Sequence, residues 1–522
     1  MGTELRLSPD FKKNNITGMN MKTIGGSLAI LAGMVSMAWA QTAHVAQGDL
    51  TGFSDHGADA YLNIPYGAPA TGDLRWNAPG KPAAWTQPRD ATKFGPACMQ
   101  QDAKPQGPWS IEFFVGGPYS EDCLNLNVWT TAKPGEARAV ALFIPGGGFN
   151  QGGGGVPVYN GAGMAKAGVV FVTMNYRLSA AGFMANAELA TERGGTSGNY
   201  GLMDILGALH WIHDNIAAFG GDPAKVTVMG QSAGAAAINA LLHSPFAAGL
   251  FRGAIIDSGV RAGNTVAANA DREKMSMDWA KTKNAETLKQ LRALSSADLV
   301  PAPGNTFRFG PSVDGMVIPD MSGPIMNVPV LTGWNAGEGA APQGKLLSTP
   351  VSRADFTAAA GTMAGADAPA LLALYPSGDD ATAAMHAAGH DAVMMSGAAW
   401  IAARGASAPA YYYDFEHVMP GATAADYGSY HSSELPYVFG TLDILRRPTT
   451  DTDRKVADVM QAYWVNFIKT GNPNGGALPQ WAAFDPAQNN VMALGAAPHM
   501  RAITDAAKAK AFAASNRKLA GN

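Results

Sequence analysis

Short apolar runs rich in β-branched residues alternate with stretches of helical periodicity along most of this chain. Leu142-Phe143-Ile144, Val169–Met174, Lys225–Met229, Gly253–Asp257, Pro329–Thr332 and Ala410–Phe415 are apolar almost throughout, so they read as strands buried on both faces. Between the second and third of these, Leu206, Leu209, Ile212 and Ile216 share one face, which predicts a helix over about 202–219. Ala235–His243 is a strong helix former, and the alternation over 47–65 predicts an antiparallel hairpin region. Apolar strands alternating with helices predict an α/β fold whose mostly parallel sheet is covered on both faces. In such sheets, sites form at the carboxyl ends of strands. The segment from about 340 to 408, rich in Ala, Gly and Met, predicts helices over the sheet that help to wall a pocket. Its Met363, Met385, Met394 and Met395 are expected in the core rather than on a substrate.

Composition narrows the class. The chain has 37 basic and 41 acidic residues without a basic run, which points away from nucleic acid and anionic membrane surfaces. No linker or repeat divides residues 41–522, which read as one large decorated domain. Before them, Lys22, the apolar stretch 23–35 and the Ala38-Trp39-Ala40 end read as a signal peptide. The expected signal covers residues 1–40, with 1–20 an extension if Met19 or Met21 is the true start. A retained N-terminal anchor is the alternative. Export to the periplasm or beyond is the expectation, and no later stretch is long and apolar enough to span a bilayer. The only cysteines, Cys98 and Cys123, would be two buried thiols in a cytosolic enzyme. Behind an export signal they read as a disulfide.

The chemistry gathers around Gly230-Gln231-Ser232-Ala233-Gly234, which follows an apolar strand and opens a helix. Strand, G-x-S-x-G, helix is the context of a nucleophile elbow, with glycines where the turn leaves no room for side chains. A serine hydroxyl needs a base, and that base needs a carboxylate to orient it. Spacing alone leaves five late histidines open: His386, His390, His417, His431 and His499. His431 is favoured because it opens His431-Ser432-Ser433-Glu434 after a glycine-containing loop, and Glu338 stands just beyond a strand end. Gly146-Gly147-Gly148 after a strand is suited to aim backbone amides at an oxyanion.

Further motifs carry a resemblance. Ile64-Pro65-Tyr66, Leu74-Arg75-Trp76, Phe94–Cys98, Glu121–Val128, Asn175–Leu178, Gly198–Asp204, Phe219–Pro223, Val313-Asp314-Gly315 and Thr470–Asn474 follow in one order along the chain. In these the sequence resembles the type B carboxylesterase/lipase family, with its α/β-hydrolase fold. The resemblance implies a Ser232, Glu338 and His431 triad, with amides of Gly147, Gly148 and Ala233 as the oxyanion hole. It also implies the Cys98–Cys123 bridge, the ion pairs Arg75–Glu121 and Arg177–Asp204, and Ser258 as a support near the histidine. Trp109, Phe113 and Phe114 are placed near the pocket mouth, where they would suit aryl or bulky apolar esters; packing into the loop core is the competing reading. Two positions depart from the family. Gln231 stands where glutamate is usual, which removes a negative charge near His431 and disfavours cationic substrates. Pro145 stands where His or Tyr is frequent.

The function expected is a secreted serine carboxylesterase acting through an acyl-enzyme on a small-molecule ester, with no metal or cofactor required. A specialised aryl, feruloyl, pyrethroid or mycotoxin esterase of the same family is the near alternative. A non-catalytic binding module is less favoured, because all three triad residues are present. A lipase would need an amphipathic lid, and none is recognisable.

Overall fold

Alternate residues of the central strands belong to two different cores, which explains their unbroken apolar character. In the strand Arg138–Ile144, Val140, Leu142 and Ile144 pack on one side, while Ala139, Ala141 and Phe143 pack on the other. The computed structural model describes residues 41–519, apart from 103, 193–194, 263–265, 303, 323–324 and 341–345. The expected signal peptide lies outside the described residues.

Among the described residues, twelve strands follow one another across a 13-stranded sheet: β1 Gln41–Val45, β2 Gly48–Asp55, β3 Ala58–Pro65, β4 Asn125–Thr130, β5 Arg138–Ile144, β6 Val170–Met174, β7 Gly221–Gln231, β8 Gly253–Asp257, β9 Val330–Asn335, β10 Ala410–Phe415, β11 Asn490–Leu494 and β12 His499–Ala502, with the short strand Arg89–Asp90 paired to β2 off this path. Their spatial order is β1-β2-β3-β4-β6-β5-β7-β8-β9-β10-β11-β12. The run from β6 through β11 is parallel, and antiparallel strands close both edges. The hairpin expected over 47–65 is β2 and β3, paired antiparallel.

One face is covered by α1 (Tyr200–Asn215) and α2 (Ala233–Leu242), whose Leu209, Ile212, Ile238 and Leu241 join the first core. The predicted helix over 202–219 tightens into a 3-10 turn at Ile216–Phe219 and stops at Gly220, whose φ is 75°. The other face is covered by a long helix, Asp451–Thr470, begun by a capping box between Thr450 and Asp453 and ended by Gly471 at φ 77°. Among the described residues no helix is long and apolar enough to cross a membrane.

The Ala/Gly/Met-rich segment differs from expectation in one respect. Its helices, chiefly Arg353–Ala364 and Thr382–Ala403, are present, and Met385, Met394 and Met395 are buried in a third core with Met363 against it. They do not wall the pocket described below, because their apolar sides close on each other and on Trp334, Tyr412 and Val491 at the far strands. Apolar content predicted burial correctly; it carried no information about which neighbour does the burying.

Cys98 and Cys123 form a disulfide that closes a loop with a sequence separation of 25. Such a crosslink stabilises by about 3 kcal/mol in the chain-entropy account. Both expected ion pairs are present and buried, Arg75–Glu121 at 2.6 Å and Arg177–Asp204 at 2.7 Å.

Candidate active site

Strand β7 ends at Gln231 and α2 begins at Ala233, leaving Ser232 alone to make the turn at φ 57° and ψ −120°. That conformation is costly for a residue with a Cβ, and the surroundings enforce it. The Ser232 amide donates to the Asp257 carbonyl at 2.9 Å, and the Ser232 carbonyl accepts from the Ala236 amide at 2.9 Å. The flanking glycines are steric necessities. A Cβ on Gly230 would lie 2.7 Å from the Gly234 carbonyl carbon, and one on Gly234 would lie 2.0 Å from the Ile144 oxygen.

The loop after β5 backs onto this elbow. A Cβ on Gly146 would meet the Gln231 carbonyl oxygen at 2.7 Å, Gln231 Oε1 at 3.0 Å and the Ser232 Cβ at 3.1 Å, so the two turns pack too closely for a side chain there. Gly147 and Gly148 have φ of 112° and 62°, and the Gly147 carbonyl accepts from the amides of Asn150 and Gln151 at 3.1 Å each. Among the described residues, the amides of Gly147, Gly148 and Ala233 have no hydrogen-bond acceptor. Gly147, Gly148 and Ser232 line one cavity.

His431 and Glu338 meet as expected, with His431 Nδ1 2.7 Å from Glu338 Oε2. Glu338 Oε1 accepts from the Ser258 hydroxyl at 2.5 Å and from the Asn335 amide at 3.1 Å. Ser258 therefore touches the carboxylate rather than the imidazole. With Nδ1–H committed to Glu338, the neutral ring keeps its acceptor lone pair on Nε2. That lone pair is faced by the Gln231 side-chain amide, Nε2 to Nε2 at 3.0 Å. The Ser232 hydroxyl has no hydrogen bond among the described residues. Ligand-free sites often hold such bonds loosely.

Burial disfavours the His431 imidazolium, but the adjacent Glu338 charge and hydrogen bond outweigh it, and the pKa is raised above the ordinary 6.5. Since neutral imidazole is the form able to accept a proton, kcat/KM should fall as pH drops through an inflection above 6.5. Glu338→Gln should shift that inflection downward and cut kcat on the order of 10⁴-fold, because the charge and the tautomer control are both lost. A pH-rate profile of the two proteins checks this; an unmoved inflection counts against the pairing.

Sequence reasoning missed two buried acids behind the histidine. Burial, and then the Glu338 charge, push Glu434 up to about 7, and Asn335 Nδ2 donates to it. Burial and the charge of Glu434 hold Asp257 well above the usual carboxylate range, while Tyr413 donates to it at 2.9 Å. Glu434 is visible in the His431-Ser-Ser-Glu run, but nothing in the sequence signals its burial.

The cavity over Ser232 has a volume of about 350 Å³. Trp109, Phe113 and Phe114 all line it, and Trp109 and Phe113 also pack edge-on against Tyr430. Lining the cavity and packing within the loop are thus not exclusive for these aromatics. Trp109 Nε1 also donates to the His431 carbonyl at 3.0 Å, so the aromatic wall fixes the histidine loop. Besides Ser232 and His431, the polar lining is carboxamide and hydroxyl (Gln100, Gln106, Gln151, Gln231, Tyr159 and Ser432), and no Asp, Glu, Lys or Arg lines it.

Comparison with known proteins gives a consistent picture. The family model described as the carboxylesterase family matches residues 40–513. The fumonisin B1 esterase of Sphingopyxis macrogoltabida is 34% identical over 456 residues, covering 82% of each chain. The para-nitrobenzyl esterase of Bacillus subtilis (strain 168) is 32% identical over 465 residues, covering 84% of this chain and 91% of that enzyme. A solved PNB esterase superposes with a TM-score of 0.76 at 29% identity, over 91% of this chain and 99% of its own.

Proposed function

The chain belongs to the carboxylesterase family and is a carboxylic ester hydrolase of the α/β-hydrolase fold, and from that premise we propose that it is an exported serine esterase for uncharged aryl or bulky apolar esters. The observation that carries this reading is the meeting of four separate chain segments around one cavity: the strained Ser232 elbow with its Ala233 amide, the unengaged amides of Gly147 and Gly148, His431, and Glu338 behind it.

In the proposed cycle, His431 Nε2 takes the Ser232 proton as the hydroxyl attacks the ester carbonyl. The amides of Gly147, Gly148 and Ala233 receive the oxyanion. His431 then protonates the departing alcohol, and water hydrolyses the acyl-enzyme by the reverse proton path. Glu338 holds the tautomer and stabilises the imidazolium, with Ser258 and the Asn335 amide holding Glu338. Export is favoured by the 1–40 signal pattern and by the disulfide.

The uncharged lining argues for a neutral substrate, since a charged group would lose its hydration without an opposite charge to meet it. The aromatic side suits an aryl or branched group. Gln231 is the position that sets this preference against cations. Gln231→Glu would put a carboxylate beside His431, raising kcat/KM for a choline-type ester relative to its neutral isostere by about tenfold. An unchanged ratio would show that residue 231 does not control the field in the pocket.

A p-nitrophenyl ester series of increasing acyl length, with an aromatic acyl member, tests the substrate reading. Preference for aromatic or mid-length acyl groups over acidic ones is expected. A preference for an acidic acyl group would overturn the neutral-substrate assignment.

A further inference from the structure

Among the described residues, the turn that carries Gly147 and Gly148 is held from within only at the carbonyls of those two residues, which accept from the amides of Asn150 and Gln151 and from Asn150 Nδ2. Gly146–Gly148 and Gly152–Gly155 provide no side chains, and Gly152 sits at φ 107°. Anchorage of the return limb to the rest of the protein reaches in from elsewhere. One side chain does so from the cysteine loop.

Gln100 is 5% exposed, and its carboxamide is fully engaged. Its Oε1 accepts from the Gly152 amide at 2.8 Å, while its Nε2 donates to the Gly152 carbonyl at 2.8 Å and to the Cys98 carbonyl at 3.0 Å. The side chain thus grips both polar groups of one residue, as a neighbouring strand would. Gly152 in turn lies directly behind the glycine turn: a Cβ there would be 2.4 Å from the Gly146 oxygen. Gly147 is similarly backed by Gln151, whose carbonyl oxygen would be 2.1 Å from an added Cβ. With these backbones in contact, displacement of Gly152 shifts the carbonyls of Gly146 and Gln151, and with them the amides of Gly147 and Gly148.

A second tie runs alongside. Asn175 Oδ1 accepts from the Gly154 amide at 2.8 Å, and Asn175 Nδ2 donates to the Cys123 carbonyl at 3.2 Å. The return limb of the loop is therefore fastened to the carbonyls of both bridged cysteines. Gln100 carries the tie nearer to the turn.

We propose that Gln100 is a positioning residue for the oxyanion hole, holding the Gly147 and Gly148 amides in place through Gly152 and anchored to the cysteine bridge at Cys98. This rests on the assignment of those amides as the oxyanion donors. Gln100 also lines the cavity, but its carboxamide is committed to Gly152 and Cys98, so in this role it acts through the backbone rather than on the substrate. Its contribution lies in fixing donors before charge develops, where a displacement of about 1 Å can cost on the order of 100-fold in rate.

The test uses Gln100→Met, which keeps the volume and removes all three hydrogen bonds, and Gln100→Glu. A buried carboxyl facing two carbonyls is held protonated, so glutamate restores acceptance from Gly152 and one donation. Turnover of p-nitrophenyl esters is measured per active site, counted by organophosphate titration for wild type and the Gln100 variants, and per folded chain for Ser232→Ala. In Gln100→Met, kcat should fall by about tenfold or more with KM within about twofold. Affinity for a trifluoromethyl ketone, which forms an oxyanion on the serine, should fall in parallel with kcat/KM. The His431 inflection should stay where it is, and Gln100→Glu should retain more activity than Gln100→Met. If Gln100→Met does not fold, the same kcat, KM and ketone comparison between Gln100→Glu and wild type decides. Unchanged kcat, or a lower kcat with unchanged ketone affinity, overturns the proposal while leaving the esterase standing. Turnover surviving in Ser232→Ala overturns both.

Discussion

Replacing Ser232 with alanine should lower kcat/KM for p-nitrophenyl esters on the order of 10⁵- to 10⁶-fold while leaving the fold unchanged. The size of the loss follows from the division of labour in the site. In the proposed cycle His431 and Glu338 act only by moving or stabilising the proton of a nucleophile, so without the hydroxyl their contribution vanishes with it. What remains is binding and the oxyanion amides, acting on water. The fold should survive because the hydroxyl has no hydrogen bond among the described residues, and because alanine meets the same steric cost at φ 57° as serine does. Thermal unfolding of the variant should overlay that of the wild type. Activity within about tenfold of wild type would remove Ser232 from the mechanism.

The second large effect concerns stability. Asp204 is fully buried in α1 and holds Arg177 through Oδ2 to Nε at 2.8 Å, Oδ1 to Nη2 at 2.7 Å and Oδ2 to the Arg177 amide at 3.0 Å. Asp204→Ala leaves a guanidinium in the interior with no carboxylate, and its remaining contacts are the Asn77 carbonyl at 2.7 Å from Nη2 and the Tyr200 ring, 5.6 Å from Cζ. Breaking one side of such a pair costs about 3–5 kcal/mol, more than the pair itself is worth relative to an apolar filling. A drop of several degrees in the unfolding midpoint and a lower yield of folded protein are expected. Asp278→Ala is the control, since its Lys274 partner is on the surface and 80% exposed; its midpoint should be that of the wild type. Equal midpoints for the two variants would contradict the account.

How much of this was legible in the sequence depended on whether a feature was local. The Ser232 elbow is a five-residue pattern with a strand before it and a helix after it, and all of its steric reasons lie within that span or one strand away. The capping box at Thr450 and the arrest at Gly471 are likewise local. His431 and Glu338 were chosen by motif, because spacing alone allowed five histidines. Features made by distant chain segments were not readable. The burial of Glu434 and Asp257 depends on helices and strands that converge from across the chain. The bond from Gln231 to His431 spans 200 positions, and it explains why the base faces an amide rather than the serine. The helices of 353–403 were expected beside the pocket, yet an Ala- and Met-rich surface packs against any apolar neighbour, and the nearest ones were at the other edge of the sheet.

The central claim is that hydrolysis passes through a covalent bond to Ser232. Treating the protein with a p-nitrophenyl organophosphate and mapping the adduct by peptide mass spectrometry tests it most directly. The account predicts one phosphoryl group per chain, carried on the peptide containing Ser232, with turnover lost in proportion to labelling. Full labelling at another residue, or undiminished turnover in fully labelled protein, would contradict it.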